Sequence, residues 1–158
     1  MLKNVDSVTF CLSKGLCAPA GSILVGSADF IRRARRARKA LGGGLRQAGI
    51  LAAAGLISLH QMTKRLQVDH DHAQLLAEGL SEIPHITVKS QHTNFVFMTL
   101  EDSAPVSPSE LIQTLRDDHN ILLSGYQSKN NHVRLVTHYW VDRQAVETVI
   151  DAMKTILS

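Results

Sequence analysis

The stretch FCLSKGLCAPAGS, residues Phe10 to Ser22, places a single lysine, Lys14, in small and apolar company. Leu12, Gly15, Leu16, Ala18 and Pro19 surround it, and no acidic residue lies between Ser7 and Gly26 to pair with it. A charged amine is costly in low-polarity surroundings, and a desolvated, nucleophilic amine is what Schiff-base chemistry with a carbonyl requires. On composition alone, an ordinary surface lysine at a strand end is the competing reading. Val8, Phe10 and Leu12 alternate along the preceding segment, which predicts a strand over Val5–Leu12. Gly15, Pro19 and Gly21 then make a turn-rich loop, so Lys14 stands at the strand's end. Ser22–Val25 reads as a second short strand, close enough to pair antiparallel with the first.

The chain's 158 residues suit one ordinary domain or two small lobes. At 44% hydrophobic and 20% charged, the composition is that of a soluble globular protein. No uncharged stretch offers the roughly 18 consecutive apolar residues of a membrane span. The opening MLKNVDSVTF has an early lysine and aspartate and no apolar core of a secretory signal. A cytoplasmic protein without a membrane partner is therefore expected, with a mitochondrial location left open. Cys11 and Cys17 lack CxxC spacing and are too few for a disulfide framework, so both read as small buried side chains in a reducing compartment.

Charge is unevenly spread. Between Ala28 and Arg46 there are seven basic residues and one acidic one. Such a local cluster points to an anion site or a subunit contact. A basic helix is also an electrostatic footprint for nucleic acid, but this one carries an apolar stripe (Phe30, Ala34, Ala37, Leu41) and no adjoining aromatic platform. Nucleic acid is not expected as a partner. Asp29 is placed to cap that helix, and Gly42–Gly44 to end it. A glycine triplet followed by Arg46 suits close backbone approach to a phosphate at the next helix start, although a flexible helix end is the plainer alternative.

A long helix is expected from near Leu45 to about Leu66, continuing from Asp69 to about Leu80 with a break near Val68. Its small residues around Gly49 and Ala53 invite close packing at a subunit interface. His70 and His72 would point to different faces of that helix, so shared metal ligation is not expected and a solvated surface is. From Ile83 onward the predicted strands are Ile86–Lys89, Asn94–Leu100, Ile121–Ser124 and His132–Thr137. The predicted helices are Ser109–Asp118, with a capping signal in SAPVSPSE, and Arg143–Leu157. This order suits a small antiparallel sheet covered by helices. A boundary near residues 66–70 divides the chain into residues 1–68 and 69–158.

Three segments carry a family resemblance: CLSKGLCAPAGSILVGS, FIRRARRARKALGGGLRQAGILAAAGL and, near the C-terminus, VRLVTH. Together they resemble the low-specificity L-threonine aldolases, grouped with the β-eliminating lyases. The resemblance implies an α/β fold: the C-terminal portion of a fold-type I, aspartate-aminotransferase-like subunit using pyridoxal phosphate. In that reading residues 1–68 are a remnant of the cofactor-binding large domain and residues 69–158 a small α+β lobe with an antiparallel sheet. It also implies roles. Lys14 matches the Schiff-base lysine, Arg46 an arginine near the cofactor phosphate, Lys39 a support for that anion site, and Arg134 the arginine holding the substrate α-carboxylate.

The resemblance covers only the C-terminal half of the family's usual chain. The absent half would carry the ring-stacking group, the aspartate on the pyridine nitrogen and a second carboxylate-binding arginine. A truncated form with little or no activity by itself is therefore expected. The implied reaction of the full-length family is cleavage of L-threonine or L-allo-threonine, a β-hydroxy-α-amino acid, to glycine and acetaldehyde by a homo-oligomer. Another fold-type I lyase or aminotransferase fragment, or a non-catalytic subunit, remains an alternative.

Overall fold

A computed structural model describes residues 3–123 and 131–158. They form two compact units that divide between Leu66 and Gln67. In the first, β1 (Ser7–Cys11) pairs antiparallel with β2 (Ser22–Gly26), with Phe10 opposite Ile23. Helix α1 (Ala28–Ala40) follows. Its cap is Ser27, not Asp29: the Ser27 hydroxyl accepts the Phe30 N–H at 3.3 Å. Ser27 has the extended backbone that a cap needs. Asp29 sits inside the first turn, where it pairs with Arg32 and Arg33 at 3.1 Å. The expected apolar stripe does not become core. No α1 residue is buried, and Leu41 is 87% exposed. Phe30 is seated against Gly26, where an added Cβ would fall 2.7 Å from the ring, and Ile31 and Ala34 are half-buried.

The next helix, α2 (Gly49–Ile57), begins four residues later than expected, because Gln47 takes a left-handed backbone (φ 52°) that no helix continues through. A π-helical turn, Ser58–Met62, joins it to α3 (Thr63–Ser81). There is no break at Val68. The irregularity falls instead at the π-turn, where the Ser58 and Thr63 hydroxyls bond back to the Ala54 and Leu59 carbonyls at 3.0 and 2.9 Å.

In the second unit, β3 (Ile86–His92), β4 (Phe95–Leu100) and β5 (His132–Val136) form an antiparallel sheet in that order, with a bulge at Lys89. Alternation sends Val96, Met98 and Leu100 of β4 and Val133 and Leu135 of β5 to one face. There they pack with Leu76 and Leu80 of α3, with Leu111 and Leu115 of α4 (Pro108–Asp117), and with Val146 and Met153 of α5 (Arg143–Leu157). The strand expected at Ile121–Ser124 does not form at residues 121–123, and Ser124 lies outside the described residues. Left-handed Asn120 (φ 55°) turns the chain so that the Ile121 N–H bonds the Leu115 carbonyl at 2.8 Å, closing α4 instead of extending a ladder.

His72 is not solvated. It is half-buried, with Nδ1 2.9 Å from the Val141 carbonyl oxygen. Among the described residues, no helix is long and apolar enough to cross a membrane, and no group of three His, Cys, Asp or Glu could hold a metal ion.

Helix α4 carries a complete capping box. Ser107 accepts the Glu110 N–H at 3.3 Å, and the Glu110 carboxylate accepts the Ser107 N–H at 2.8 Å. That backbone bond, then the bond to the Ser107 side chain, hold the Glu110 carboxyl below its ordinary pKa. The folded state thus binds this proton more weakly than the unfolded chain. The carboxylate's contribution is full above the unfolded value and is lost as pH falls through the lowered folded value. Ser107→Ala is expected to cost about 1 kcal/mol in urea unfolding at neutral pH. Glu110→Gln should flatten the acid limb of the stability–pH curve while leaving most of the remaining profile unchanged.

Candidate functional site

The loop after β1 is built so that Lys14 points outward. Leu12, Leu16 and Ala18 are buried and pack on Ile23, Leu59, Met62 and Leu66. The backbone closes around them: Leu12 N–H bonds the Gly21 carbonyl at 2.9 Å, and Ala18 N–H bonds the Leu12 carbonyl at 3.0 Å. Between these anchors, Cys17 N–H bonds the Lys14 carbonyl at 2.8 Å, and Cys17 takes φ 58°. Glycine at 15 permits the packing, since an added Cβ would lie 3.0 Å from Leu66 Cδ2. The apolar neighbours of Lys14 are thus the loop's own small core. Lys14 is exposed, so this unit does not supply the desolvated amine expected from the sequence. Cys11 and Cys17 are also exposed, and both are free thiols, because the inward positions of the loop go to Leu12, Leu16 and Ala18.

Lys39 and Arg46 flank the glycine turn that follows α1. The turn is closed by the Gly43 N–H on the Arg38 carbonyl at 2.8 Å, with Gly42 at φ 83°. Gly44 is a seat for Lys39: an added Cβ would lie 2.5 Å from Lys39 Cδ and 3.1 Å from Nζ. The lysine therefore folds back across the turn, which places its ammonium beside the glycine backbone. Arg46 is exposed. The start of α2 comes at Gly49, so the turn and the helix N-terminus are separate features and not the single phosphate cradle expected.

Arg134 lies in the second unit, on the sheet face opposite the helices. In register it stands across from Phe97, yet its guanidinium carbon lies over the Phe95 ring, 5.6 Å from the centroid. Phe95 and Phe97 stack at 6.1 Å with an interplanar angle of 18°. Arg134 is half-buried, and its Nε is shielded from solvent. Thr99 and His132 share this face, with Thr99 Oγ1 and His132 Nδ1 3.1 Å apart. The sheet end beside Arg134 is clasped. Thr137 N–H bonds the Asn94 carbonyl at 3.0 Å, and Asn94 Nδ2 returns a bond to the Thr137 carbonyl at 2.8 Å. Asn94, Phe95 and Thr137 are absent from the candidates read off the sequence. The alternation of NFVFMTL signals a strand, but the cross-strand register that gives these residues their neighbours is not written in it.

The fold is the C-terminal portion of a fold-type I subunit, the architecture of the aspartate-aminotransferase class of pyridoxal-phosphate enzymes. The sequence profile of the beta-eliminating lyases matches residues 1–103, and the chain belongs to that family. It is 39% identical over 156 residues to low-specificity L-threonine aldolase 1 of Arabidopsis thaliana, covering 98% of this chain and 43% of that protein. It is 42% identical over 153 residues to the low specificity L-threonine aldolase of Escherichia coli K12, covering 97% of this chain and 43% of the relative. The chain thus spans less than half the length of these two relatives. A PLP-dependent aminotransferase from Streptococcus suis shares the fold with a TM-score of 0.71 at 14% identity, covering 96% of this chain and 41% of that one.

If the loop core holds Lys14 in place, shrinking it should loosen the loop. Leu16→Ala is expected to cost about 2–4 kcal/mol locally. Hydrogen exchange at the Cys17 and Ala18 amides should accelerate, while amides of β4 keep their protection.

Proposed function

We propose that these residues are the lysine-bearing part of an aldehyde lyase that cleaves L-threonine or L-allo-threonine to glycine and acetaldehyde with pyridoxal phosphate as cofactor. The observation that carries the reading is the near-complete coverage of this chain by threonine aldolases at about 40% identity, with Lys14 inside the CLSKGLCAPAGS segment.

The donor set fits the cofactor. Lys14 presents an accessible amine for the cofactor's aldehyde. The Gly44 seat, which a Cβ would fill, holds the Lys39 ammonium beside the glycine turn, and Arg46 adds a second cation within two residues. Two cations beside a glycine turn suit a phosphate dianion. Arg134 would take the substrate carboxylate with its planar fork. Bound pyridoxal phosphate supplies an electron-withdrawing ring that stabilises negative charge at the substrate Cα. Arg134's part is orientation: fixing the carboxylate selects which Cα bond is presented for cleavage. In the balanced reaction the Cα–Cβ bond breaks, the β-hydroxyl loses its proton and Cα gains one.

Homo-oligomer formation is part of the same proposal. Helix α2 leaves Ile50 and Leu56 82% and 57% exposed, and Leu24 and Val25 of β2 are exposed as well. Apolar surface of this kind marks a contact face. The 158 residues by themselves are expected to turn over weakly or not at all.

The test is covalent trapping. The protein is mixed with pyridoxal phosphate and reduced with borohydride. Peptide mass mapping should find the pyridoxyl group on Lys14, and Lys14→Ala should abolish both the adduct and any acetaldehyde release from L-threonine. Modification spread over surface lysines, unchanged by Lys14→Ala, overturns the assignment. Gly44→Ala should dislodge Lys39 and weaken pyridoxal phosphate binding about tenfold, consistent with loss of one charge-assisted contact, while binding of phosphate-free pyridoxal stays the same.

A further inference from the structure

We propose that Phe95 is a positioning residue for Arg134, holding the guanidinium in the orientation that receives a carboxylate. The inference rests on the reading of Arg134 as the carboxylate-binding group.

Strand pairing alone would put Arg134 beside Phe97, its direct partner across the β4–β5 ladder. Its guanidinium instead reaches the diagonal neighbour, with Cζ 5.6 Å from the Phe95 centroid. Diagonal pairs on one sheet face are within reach of long side chains, so the choice between them is made by the side chains. A guanidinium over an aromatic ring is attracted by the ring's negative face. This partner differs in kind from a carboxylate. The ring attracts the cation through its negative face and is not a lone-pair acceptor for the guanidinium N–H donors. Those are the donors a substrate carboxylate needs for a bidentate bond. Phe95 can therefore orient the arginine without competing for its ligand.

The ring is itself held. Phe97 stacks on it, and the β4 strand starts directly after Asn94, whose backbone and side chain both bond Thr137. Thr137 is in turn fixed by its hydroxyl on the Asp69 carbonyl at 2.6 Å. Both strands are thus pinned at the end where the Phe95 ring and the Arg134 guanidinium meet. The arginine leans toward the Thr93–Asn94 turn, and the carboxylate site is expected at that end of the sheet face.

The experiment uses the 158-residue chain with 15N-labelled arginine, the Arg134 Nε–Hε resonance being assigned by its disappearance in Arg134→Lys. In the wild type this resonance should be shifted by the ring current. It should move further, saturably, on titration with L-threonine but not with L-threoninamide, which lacks the carboxylate. Phe95→Leu should remove the ring-current shift and weaken the L-threonine response about three- to tenfold, the effect of losing a half-buried cation–π contact. Phe95→Tyr should restore both. Phe95→Met offers a second apolar replacement if the leucine variant does not fold, as judged from the dispersion of its amide spectrum. A wild-type resonance that ignores L-threonine overturns the carboxylate reading of Arg134. A wild-type response that Phe95→Leu and Phe95→Met leave unchanged overturns the positioning role alone.

Discussion

Thr137 is the point on which the second unit depends. It is 1% exposed, and three segments meet there: its hydroxyl donates to the Asp69 carbonyl of α3, and its backbone exchanges bonds with Asn94 at the turn between β3 and β4. A buried hydroxyl or backbone group left without a partner costs about 1–3 kcal/mol, so these bonds specify one arrangement against slipped alternatives. A one-residue slip of β5 would turn Val133 and Leu135 outward and bring Arg134 into the core. The Thr137 clasp and the alternation of β5 therefore enforce the same register. Arg134 inherits its place on the open sheet face from both.

The first unit solves a different problem with fewer residues. Its core is three buried side chains of one loop set on a helical segment. That is enough to fix the loop's path but not to cover its surroundings, and Phe10, Leu24 and Val25 remain exposed. Lys14 is placed by what lies beside it: Leu12 and Leu16 turn inward, and Ser13 and Lys14 between them are left to face out. Reactivity that depends on desolvation must then come from whatever covers this surface.

Much of this was legible from the residues, and the failures share a cause. Arg143–Leu157 is recognisable because Asp142 supplies the cap and Val146, Ile150, Met153 and Leu157 recur at helical spacing; the Asp142 carboxylate accepts the Ala145 N–H at 2.8 Å. The alternation of β4 and β5 is equally plain. What could not be read were the places where backbone conformation overrides residue type. Gln47 and Asn120 take left-handed angles, delaying α2 and replacing an expected strand. Ser27 and Asp29 are both competent caps, and the extended backbone at Ser27 decides between them. In the candidate site, the resemblance supplied Lys14, Lys39, Arg46 and Arg134. The Gly44 seat and the Phe95 ring were hidden because each acts through a neighbour that only the folded chain brings near.

The π-helical turn at Ser58–Met62 has a consequence for how this chain tolerates change. A π-turn accommodates one more residue than the α-helical turn it replaces. Removing one residue from it would restore an α-helical turn and leave the helix on either side in phase. The regular helix has no such slack, since each of its residues advances about 100° around the axis. A deletion among Thr63, Lys64 and Arg65, at the start of α3, would swing Leu66 off the Leu12 loop core against which it packs. The π-turn is thus the place where this helical segment can lose a residue and still present Leu66 to the lysine loop.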